Sequence, residues 1–262
     1  MSNRREPLIL AIETATRAGS VSLARAEVIL GSLSGNALSS HSTDLIENIE
    51  RLLCGAGAKL SEIDLLAVAS GPGSFTGLRI GLATVKSLAI CLGRKCAGVS
   101  TLAAIAHASG PSRRPIVALL PAGRGELFAQ GFSWRKGQVR PLDNAAHLTP
   151  AALLERYGCC SDLTWAGEGT CLHSENLRAW AESHSIAFGG ADMDYLDSRR
   201  TGWFFAPQCK QLAVSVAALA LREYHSGNLV SPAGLRASYV RPADAEIKER
   251  WQLEKSQPGR RI

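Results

Sequence analysis

The first part of the chain alternates short apolar runs with a stretch of helical periodicity. Three runs have the length and apolar content of β-strands, namely residues 8–12, 19–24 and 28–33. After them, apolar residues recur at helical spacing over residues 44–53. Asp44, with Glu47 three residues later, matches a capping box, so we expect the helix to begin there. The pattern predicts three strands followed by a helix.

The alternation continues through a glycine-rich turn. An apolar run at residues 65–69 enters Ser-Gly-Pro-Gly-Ser-Phe-Thr-Gly at residues 70–77, and helical spacing leads out of it to Leu92. A short strand at 95–99 and a small-residue helix at 102–108 complete the series. The predicted order is therefore βββαβαβα.

A linker of Ser, Gly, Pro and Arg at residues 109–115 is the clearest break in the chain. We place a domain boundary there, with a first lobe at 1–108 and a second lobe at 109–262. The second lobe roughly repeats the first, with three strands and then alternating helices and strands. The segments are strands at 116–120, 127–132, 138–140 and 163–166, and helices at 151–157, around Leu177 and Trp180, and at 212–224. Residues 189–208 look irregular, and the charged tail starts at Asp244.

The composition of the chain limits the classes of protein to which it can belong. The 262 residues are 46% apolar and 20% charged, which suits a globular protein with a substantial core. No apolar run has membrane-spanning length and no leader-like segment opens the chain, so we expect a cytoplasmic protein without a membrane partner. The seven cysteines form no zinc-like pattern and are expected to be reduced. The net charge of +6, much of it at the ends, leaves direct contact of residues 244–262 with RNA open.

The glycine turn admits two interpretations. Glycines permit backbone angles that side chains forbid, and Ser74 or Thr76 could cap the following helix. The free amides at such a helix start could hold an anion, which makes Gly71, Gly73, Ser74 and Thr76 candidates for nucleotide contact. The alternative is a strand-to-helix turn with no ligand.

The motifs resemble a known family. Residues 10–16, Leu-Ala-Ile-Glu-Thr-Ala-Thr, resemble the opening strand and turn of the actin, sugar-kinase and Hsp70 superfamily. The glycine turn at 70–81, followed by Gly-Val-Ser-Thr-Leu at 98–102, closely resembles the TsaB (YeaZ) family, and His41-Ser42 and residues 238–242 fit it as well. The resemblance implies an α/β, two-lobed actin/sugar-kinase/Hsp70-like fold with duplicated βββαβαβα-type lobes.

The resemblance also implies a function. TsaB proteins are regarded as non-catalytic scaffolds that bind and activate a TsaD-like transferase in forming N6-threonylcarbamoyladenosine in tRNA. A TsaE-like ATPase, and tRNA held by the complex, would be further partners. No intrinsic cofactor is expected, although ATP or ADP could sit at the partner interface.

Departures from the superfamily pattern favour a protein without catalysis. ATP-using members have Asp followed by Gly-Thr at the end of the first strand, whereas this chain has Glu13 followed by Thr14-Ala15. We interpret Glu13 as part of a degenerate site. His41 has no second histidine nearby, so no metal is expected there. An Asp-Ala-Arg stretch of the family is replaced by Ala122-Gly123-Arg124.

The family places the partner face on the helices at 44–53 and 78–92. Apolar residues on the first helix and small or basic residues on the second would contact the partner, and alone the face would pair with itself as a homodimer. The predicted contact residues are His41, Leu45, Ile49, Leu52, Gly77, Arg79, Gly81 and Lys86. The alternative function is a nucleotide-hydrolysing or peptidase-like enzyme, although Ser74 lies in no G-x-S-x-G pattern.

Overall fold

The structure, a computed structural model, describes residues 6–36, 41–189 and 200–240, and their side chains except those of residues 41–43. The charged tail from Asp244, with its proposed tRNA contact, lies outside the described residues. Within them, two mixed β-sheets form the centre of the molecule, and helices pack on both.

The first sheet has five strands in the order β3-β2-β1-β4-β5. They are β1 (Leu8–Glu13), β2 (Ser20–Arg25), β3 (Val28–Ser34), β4 (Leu65–Gly71) and β5 (Cys96–Ser100). Strand β1 is antiparallel to β2 and parallel to β4. Its residues Leu8–Ile12 are all apolar because helices cover both faces of this central strand.

The first lobe also contains the helices α1 (His41–Gly55), α2 (Phe75–Leu92) and α3 (Thr101–Ala108), with a 3₁₀ turn at Leu60–Glu62. The prediction that Asp44 caps α1 was wrong, because the helix begins three residues earlier and Asp44 lies in its first turn. Ser74 does cap α2, since its Oγ accepts a hydrogen bond from the Gly77 amide at 3.2 Å. Ser100 caps α3 in the same way.

The second sheet repeats this topology. Its strands are β6 (Ile116–Gly123), β7 (Glu126–Arg135), β8 (Gln138–Pro141), β9 (Ala146–Leu148), β10 (Leu163–Ala166), β11 (Phe188–Gly189) and β12 (Trp203–Phe205). The order β11-β12-β10-β6-β7-β8 matches that of the first sheet, with β11 added at one edge, and β9 pairs with β7. This arrangement confirms the predicted two-lobed actin/sugar-kinase/Hsp70-like fold.

The predicted irregular stretch at 189–208 contains β12, so that prediction was wrong over these residues. Trp203, Phe204 and Phe205 are buried on both faces, and three residues are too few to show a period. The helices of this half are α4 (Pro150–Tyr157), α5 (Gly169–Leu172), α6 (Ser174–Ser183) and α7 (Leu212–His225).

The C-terminal part of the described chain returns to the first lobe. Helix α7 packs on β1, β2 and α3. Beyond it, Val230 bridges to Cys96, and the Ser238 amide donates to the Ser70 carbonyl at 2.7 Å. The lobe boundary after residue 108 stays a prediction.

Candidate functional site

The glycine turn is held against the end of β1. The Ser74 amide donates to the Ala15 carbonyl at 2.9 Å, and the Thr14 hydroxyl donates to the Gly77 carbonyl at 2.7 Å. A Cβ on Gly73 would lie 2.6 Å from that of Ala15. Position 73 therefore needs glycine because the turn packs closely against Ala15 of the same chain.

The C-terminal segment covers the other side of the turn. Gly71 has a φ of +119°, and a Cβ there would lie 2.5 Å from the Ser238 carbonyl oxygen. Of the four residues predicted to contact nucleotide, Gly71 is buried and Gly73 is half-buried, while Ser74 and Thr76 are exposed. Only those two hydroxyl side chains face solvent at the turn.

The structure corrects the predicted role of Gly77 and Gly81 in a partner contact. Both are buried, and a Cβ on Gly81 would lie 2.3 Å from the Thr14 hydroxyl oxygen and 3.4 Å from Val68. The small residues let α2 approach its own sheet, so neither glycine offers surface to another protein.

The apolar residues predicted as contacts on α1 also lie inside this molecule. Leu45, Ile49 and Leu52 are 5–6% exposed and pack in the core beneath α1. Their prediction as contact residues was wrong for this conformation, because they cover the first sheet. The helix carrying them starts at His41, whose side chain is outside the described residues.

A different set of side chains remains exposed on the two helices. Ile46 on α1 is 50% exposed, and Ile90 on α2 is 70% exposed. The Arg79 guanidinium lies 3.9 Å above the Phe75 ring, whose other neighbour is the Tyr239 ring at 5.4 Å. We call the surface formed by Ile46, Phe75, Arg79, Ala83, Ile90 and Tyr239 the α1/α2 face.

The charges of this face differ between its two helices. On α2 the charged residues are Arg79, which is exposed, and Lys86, which is half-buried. On α1 the exposed Glu47 and Glu50 outnumber the exposed Arg51. The face is thus basic along α2, acidic along α1 and apolar at Ile46 and Ile90.

The apolar character of α2 has a second consequence. Among the described residues, Phe75–Leu92 is the one helix whose length and composition would let it cross a membrane, and a third of that window is buried. Core helices of soluble proteins pass the same test. What distinguishes α2 from such core helices is that many of its apolar side chains are exposed to solvent.

Glu13 lies at the end of β1 and is almost completely buried. Its carboxyl group accepts hydrogen bonds from the Thr16 amide at 2.7 Å and the Thr16 hydroxyl at 2.8 Å. Burial raises the pKa of Glu13, although these hydrogen bonds oppose the shift. The charge of Glu168 raises the pKa of Glu13 further. Both oxygens of the carboxyl group thus bond to Thr16, in the loop that follows β1. Within the described residues, no group of three or more His, Cys, Asp or Glu is placed to hold a metal ion.

Sequence reasoning missed Phe75, Tyr239, Ile46 and Ile90. Ile46 and Ile90 occupy positions outside the buried stripe of their helices, which periodicity alone could have indicated. The pairing of Phe75 with Tyr239 joins residues far apart in the chain, and no local pattern reports it.

Comparison with known proteins identifies the family. The family model described as TsaD, tRNA N6-adenosine threonylcarbamoyltransferase, matches residues 34–225, which is most of the chain. The Escherichia coli protein named tRNA threonylcarbamoyladenosine biosynthesis protein TsaB is 34% identical over 124 residues, covering 46% of this chain and 52% of the relative. The chain belongs to the TsaB (YeaZ) family.

A second TsaB relative and a solved YeaZ structure match larger parts of the chain. The Bacillus subtilis TsaB is 28% identical over 172 residues, covering 64% of this chain and 74% of the relative. The solved structure of YeaZ from Pseudomonas aeruginosa superposes with a TM-score of 0.69 at 25% identity, covering 89% of this chain and 99% of that one. The matched region spans about half the length of the first TsaB relatives, at 47% and 52%.

Proposed function

We propose that this chain is an accessory subunit without chemistry of its own, which binds and activates a TsaD-like transferase that forms N6-threonylcarbamoyladenosine in tRNA. The names of the TsaB relatives support the pathway. The single observation that carries the subunit role is the α1/α2 face, where apolar side chains of adjacent helices stay exposed.

Leaving these apolar side chains in water costs free energy that a partner surface would recover. Burying an Ile side chain contributes roughly 1.5–3 kcal/mol, so Ile46 and Ile90 favour a protein partner. Aromatic and arginine side chains are enriched among residues that dominate binding energy, and Phe75 already contacts both Arg79 and Tyr239. The stack would anchor one end of the interface.

The interior of the molecule supports a role without catalysis. Glu13, at the position where superfamily members hold metal and phosphate, has its oxygens engaged by Thr16. ATP or ADP at the partner interface would meet the exposed side chains of Ser74, Thr76 and Arg79. A TsaE-like ATPase and tRNA would join through the complex, in the cytoplasm.

The test is binding to the TsaD-like protein of the same organism, measured by isothermal titration calorimetry. Ile90→Glu should weaken binding at least about tenfold, because it places a charge at the most exposed large apolar side chain of the face. The matched control is Leu172→Glu, since Leu172 is 67% exposed on α5, away from the face. Equal affinity of the wild type and Ile90→Glu would contradict this placement.

A second measurement addresses the enzyme alternative. The purified chain alone should show no ATP hydrolysis that depends on Glu13, and adding it to the transferase should raise formation of modified tRNA. ATP hydrolysis by the isolated chain that Glu13→Ala removes, with folding checked by circular dichroism, would overturn the non-catalytic role.

A further inference from the structure

The hairpin between β7 and β8 concentrates positive charge at one end of the second sheet. Lys136 and Gly137 have φ angles of +52° and +71°, as in a two-residue turn of type I′, so the hairpin is tight. Residues 133–141 contain three charged side chains, Arg135, Lys136 and Arg140, and all three are basic and exposed. No acidic residue lies in this stretch of the sequence. The tip of the hairpin is therefore uniformly positive.

The register of the two strands separates this charge from the apolar side of the hairpin. Trp134 packs against the core, beside His107 of α3. Neighbouring residues of a strand point to opposite faces, so Arg135 and its cross-strand partner point outward. Arg140 lies opposite Ser133, and this pair shares the outer face. The outer face thus presents guanidinium and hydroxyl groups, while the inner face holds the hairpin on the molecule.

A fourth cation reaches the hairpin from α7. The Arg222 guanidinium donates to the Gly137 carbonyl at 2.6 Å, so it lies at the tip. Arg140 donates to the side-chain oxygen of Gln138 at 2.7 Å. Neither bond involves a carboxylate. We call the surface formed by Arg135, Lys136, Arg140 and Arg222 the hairpin patch.

The charge of the hairpin patch is not compensated by ion pairs. The ion pairs in the described part of the chain are made by other residues, and none includes a member of the patch. In the sequence of α7 the one acidic residue is Glu223, beside Arg222. Four cations close together without carboxylate partners favour a ligand that carries several negative charges.

The chemistry of the patch fits the sugar-phosphate backbone of a nucleic acid. Arginine, lysine, serine and glutamine side chains all contact phosphate oxygens in such complexes, and the hairpin presents each of them. Binding to a membrane surface adds apolar side chains that insert beside the cations. Among the large apolar residues exposed in the described chain, none lies within residues 133–141, and the nearest in sequence is Leu142. These observations favour a nucleic acid over a lipid surface.

We infer that the hairpin patch binds the phosphate backbone of tRNA. The choice of tRNA rests on the proposed function and on the names of the TsaB relatives, whereas the choice of a phosphate backbone rests on the patch alone. Phosphate contacts position a nucleic acid without reading its sequence. The patch would therefore hold the body of the tRNA while the TsaD-like transferase receives the reacting adenosine. It belongs to the second sheet, whereas the α1/α2 face belongs to the first lobe.

The first test is fluorescence anisotropy of a labelled, unmodified tRNA transcript, with the full chain alone and with its TsaD-like protein, from about 50 to 300 mM NaCl. Lys136→Gln and Arg140→Gln should each weaken binding. Each should also reduce the slope of log Kobs against log salt by about 0.9, because one phosphate contact is lost. Both residues are exposed, so melting temperatures should stay at the wild-type value.

The matched control is Lys210→Gln, which removes one exposed positive charge just before α7. Lys210 precedes Arg222 by twelve residues, or about 18 Å at 1.5 Å per helical residue, so it lies away from the patch. This variant should keep the wild-type affinity and slope. Equal slopes in Lys210→Gln, Lys136→Gln and Arg140→Gln would overturn the inference, as would a wild type that binds no tRNA in either form.

The second test separates the patch from a protein interface and from a membrane site. The variant carrying both Lys136→Gln and Arg140→Gln should bind the TsaD-like protein as the wild type does in calorimetry. Loss of that binding would assign the hairpin to the protein interface and reject the inference. Binding of the wild type to phosphatidylglycerol vesicles that this variant loses, with unchanged tRNA binding, would assign the hairpin to a membrane and also reject it.

The two proposals of function and of tRNA contact fail in different ways. Ile90→Glu should keep the wild-type salt slope with the full chain alone, because Ile90 lies on α2 in the first lobe. If Ile90→Glu left transferase binding intact while the hairpin variants lost tRNA, the α1/α2 face would be wrong and the hairpin patch right. The reverse pattern would reject the hairpin patch alone.

Discussion

At the scale of single residues, the end of β1 shows how buried polar side chains close a turn and hold a helix. Glu13 and Thr14 are both buried, and each makes hydrogen bonds that close a turn or hold a helix. Glu168, the residue immediately before α5 in the second lobe, is close enough to raise the pKa of Glu13 by its charge. Two carboxyl groups from the two lobes thus share a poorly hydrated region.

Glu13→Gln should flatten the pH dependence of stability. Burial raises the pKa of Glu13 above its ordinary value of 4.5, so the folded protein retains a proton that the unfolded chain releases. The free energy of unfolding contributed by this proton is full below pH 4.5 and is lost as pH rises through the folded pKa. Melting temperatures at pH 5 and pH 8 should differ less in Glu13→Gln than in the wild type.

The matched control for this prediction is Glu47→Gln, which removes an exposed carboxyl group of α1. Its melting temperatures should change with pH as those of the wild type do. If Glu13→Gln and Glu47→Gln behaved identically, Glu13 would not retain its proton.

At the scale of elements, Gly81 allows α2 to pack closely on the first sheet. Gly81 brings the helix so close to β1 that a Cβ would overlap the Thr14 hydroxyl, which is itself bonded to the Gly77 carbonyl. Glycine in a helix costs about 1 kcal/mol relative to alanine, so the contact beneath must compensate.

Gly81→Ala should lower the free energy of unfolding by about 1–2 kcal/mol, because an overpacking cost of about 2–3 kcal/mol outweighs the gain of about 1 kcal/mol in helix propensity. The control is Gly55→Ala at the end of α1, where nothing lies within 4 Å of the added Cβ. It should be neutral or slightly stabilising. Urea unfolding measures both, and equal effects of the two substitutions would contradict the close approach.

Helices α3 and α7 are joined by a half-buried histidine. His107 Nδ1 lies 3.0 Å from the Ser215 hydroxyl oxygen, and burial, assisted by the charge of Arg222, lowers the pKa of His107 to about 4. Between pH 6.5 and about 4 the unfolded chain binds a proton that the folded protein does not. The free energy of unfolding should therefore fall as the pH decreases through this range.

His107→Gln should make the protein less sensitive to acid than the wild type, as measured by urea unfolding at pH 7.5 and pH 5. His225→Gln, at the exposed end of α7, is the control and should keep the wild-type dependence. A steeper loss of stability in His107→Gln would show that the histidine is protonated in the folded protein.

Periodicity predicted the helices and strands of the first lobe because each buries a continuous apolar stripe. It could not tell which surface covers a stripe, so Leu45 and Ile49 were assigned to a partner although they cover their own sheet. For the same reason, periodicity did not indicate that Tyr239 contacts Phe75. This contact forms because the chain returns to the first lobe. Glu13 was identified by its position in a motif, and only the structure shows that Thr16 engages it.

At the scale of the whole molecule, the two sheets share one connected core. The largest apolar cluster contains Ile9 of the first sheet, Ile116 of the second and Val216 of α7. Helix α7 follows the second lobe in sequence but packs on the first, so it joins the two halves. The segment between the lobes, predicted as a linker, also contributes a buried anchor.

That anchor is Arg114, which is 4% exposed. Its Nε donates to Asp162 at 2.8 Å, its guanidinium lies 4.1 Å from the Phe204 ring centre, and a terminal nitrogen donates to the Arg200 carbonyl. These contacts tie the start of β6 to the segments before β10 and β12. Arg114→Met should lower the free energy of unfolding by about 1.5–3 kcal/mol, because it removes the hydrogen bonds that a charged side chain donates to Asp162 and to the Arg200 carbonyl.

The adjacent Arg113 provides the control, since it is exposed and Arg113→Met should change stability by less than about 0.5 kcal/mol. Both variants alter the net charge equally, so the difference between them isolates the buried contacts. Guanidinium chloride unfolding followed by tryptophan fluorescence measures it, because Trp165 and Trp203 lie in the affected sheet. Equal stability of the two variants would mean that residues 109–115 act as a linker alone. A selective loss in Arg114→Met would make this segment part of the second lobe's core.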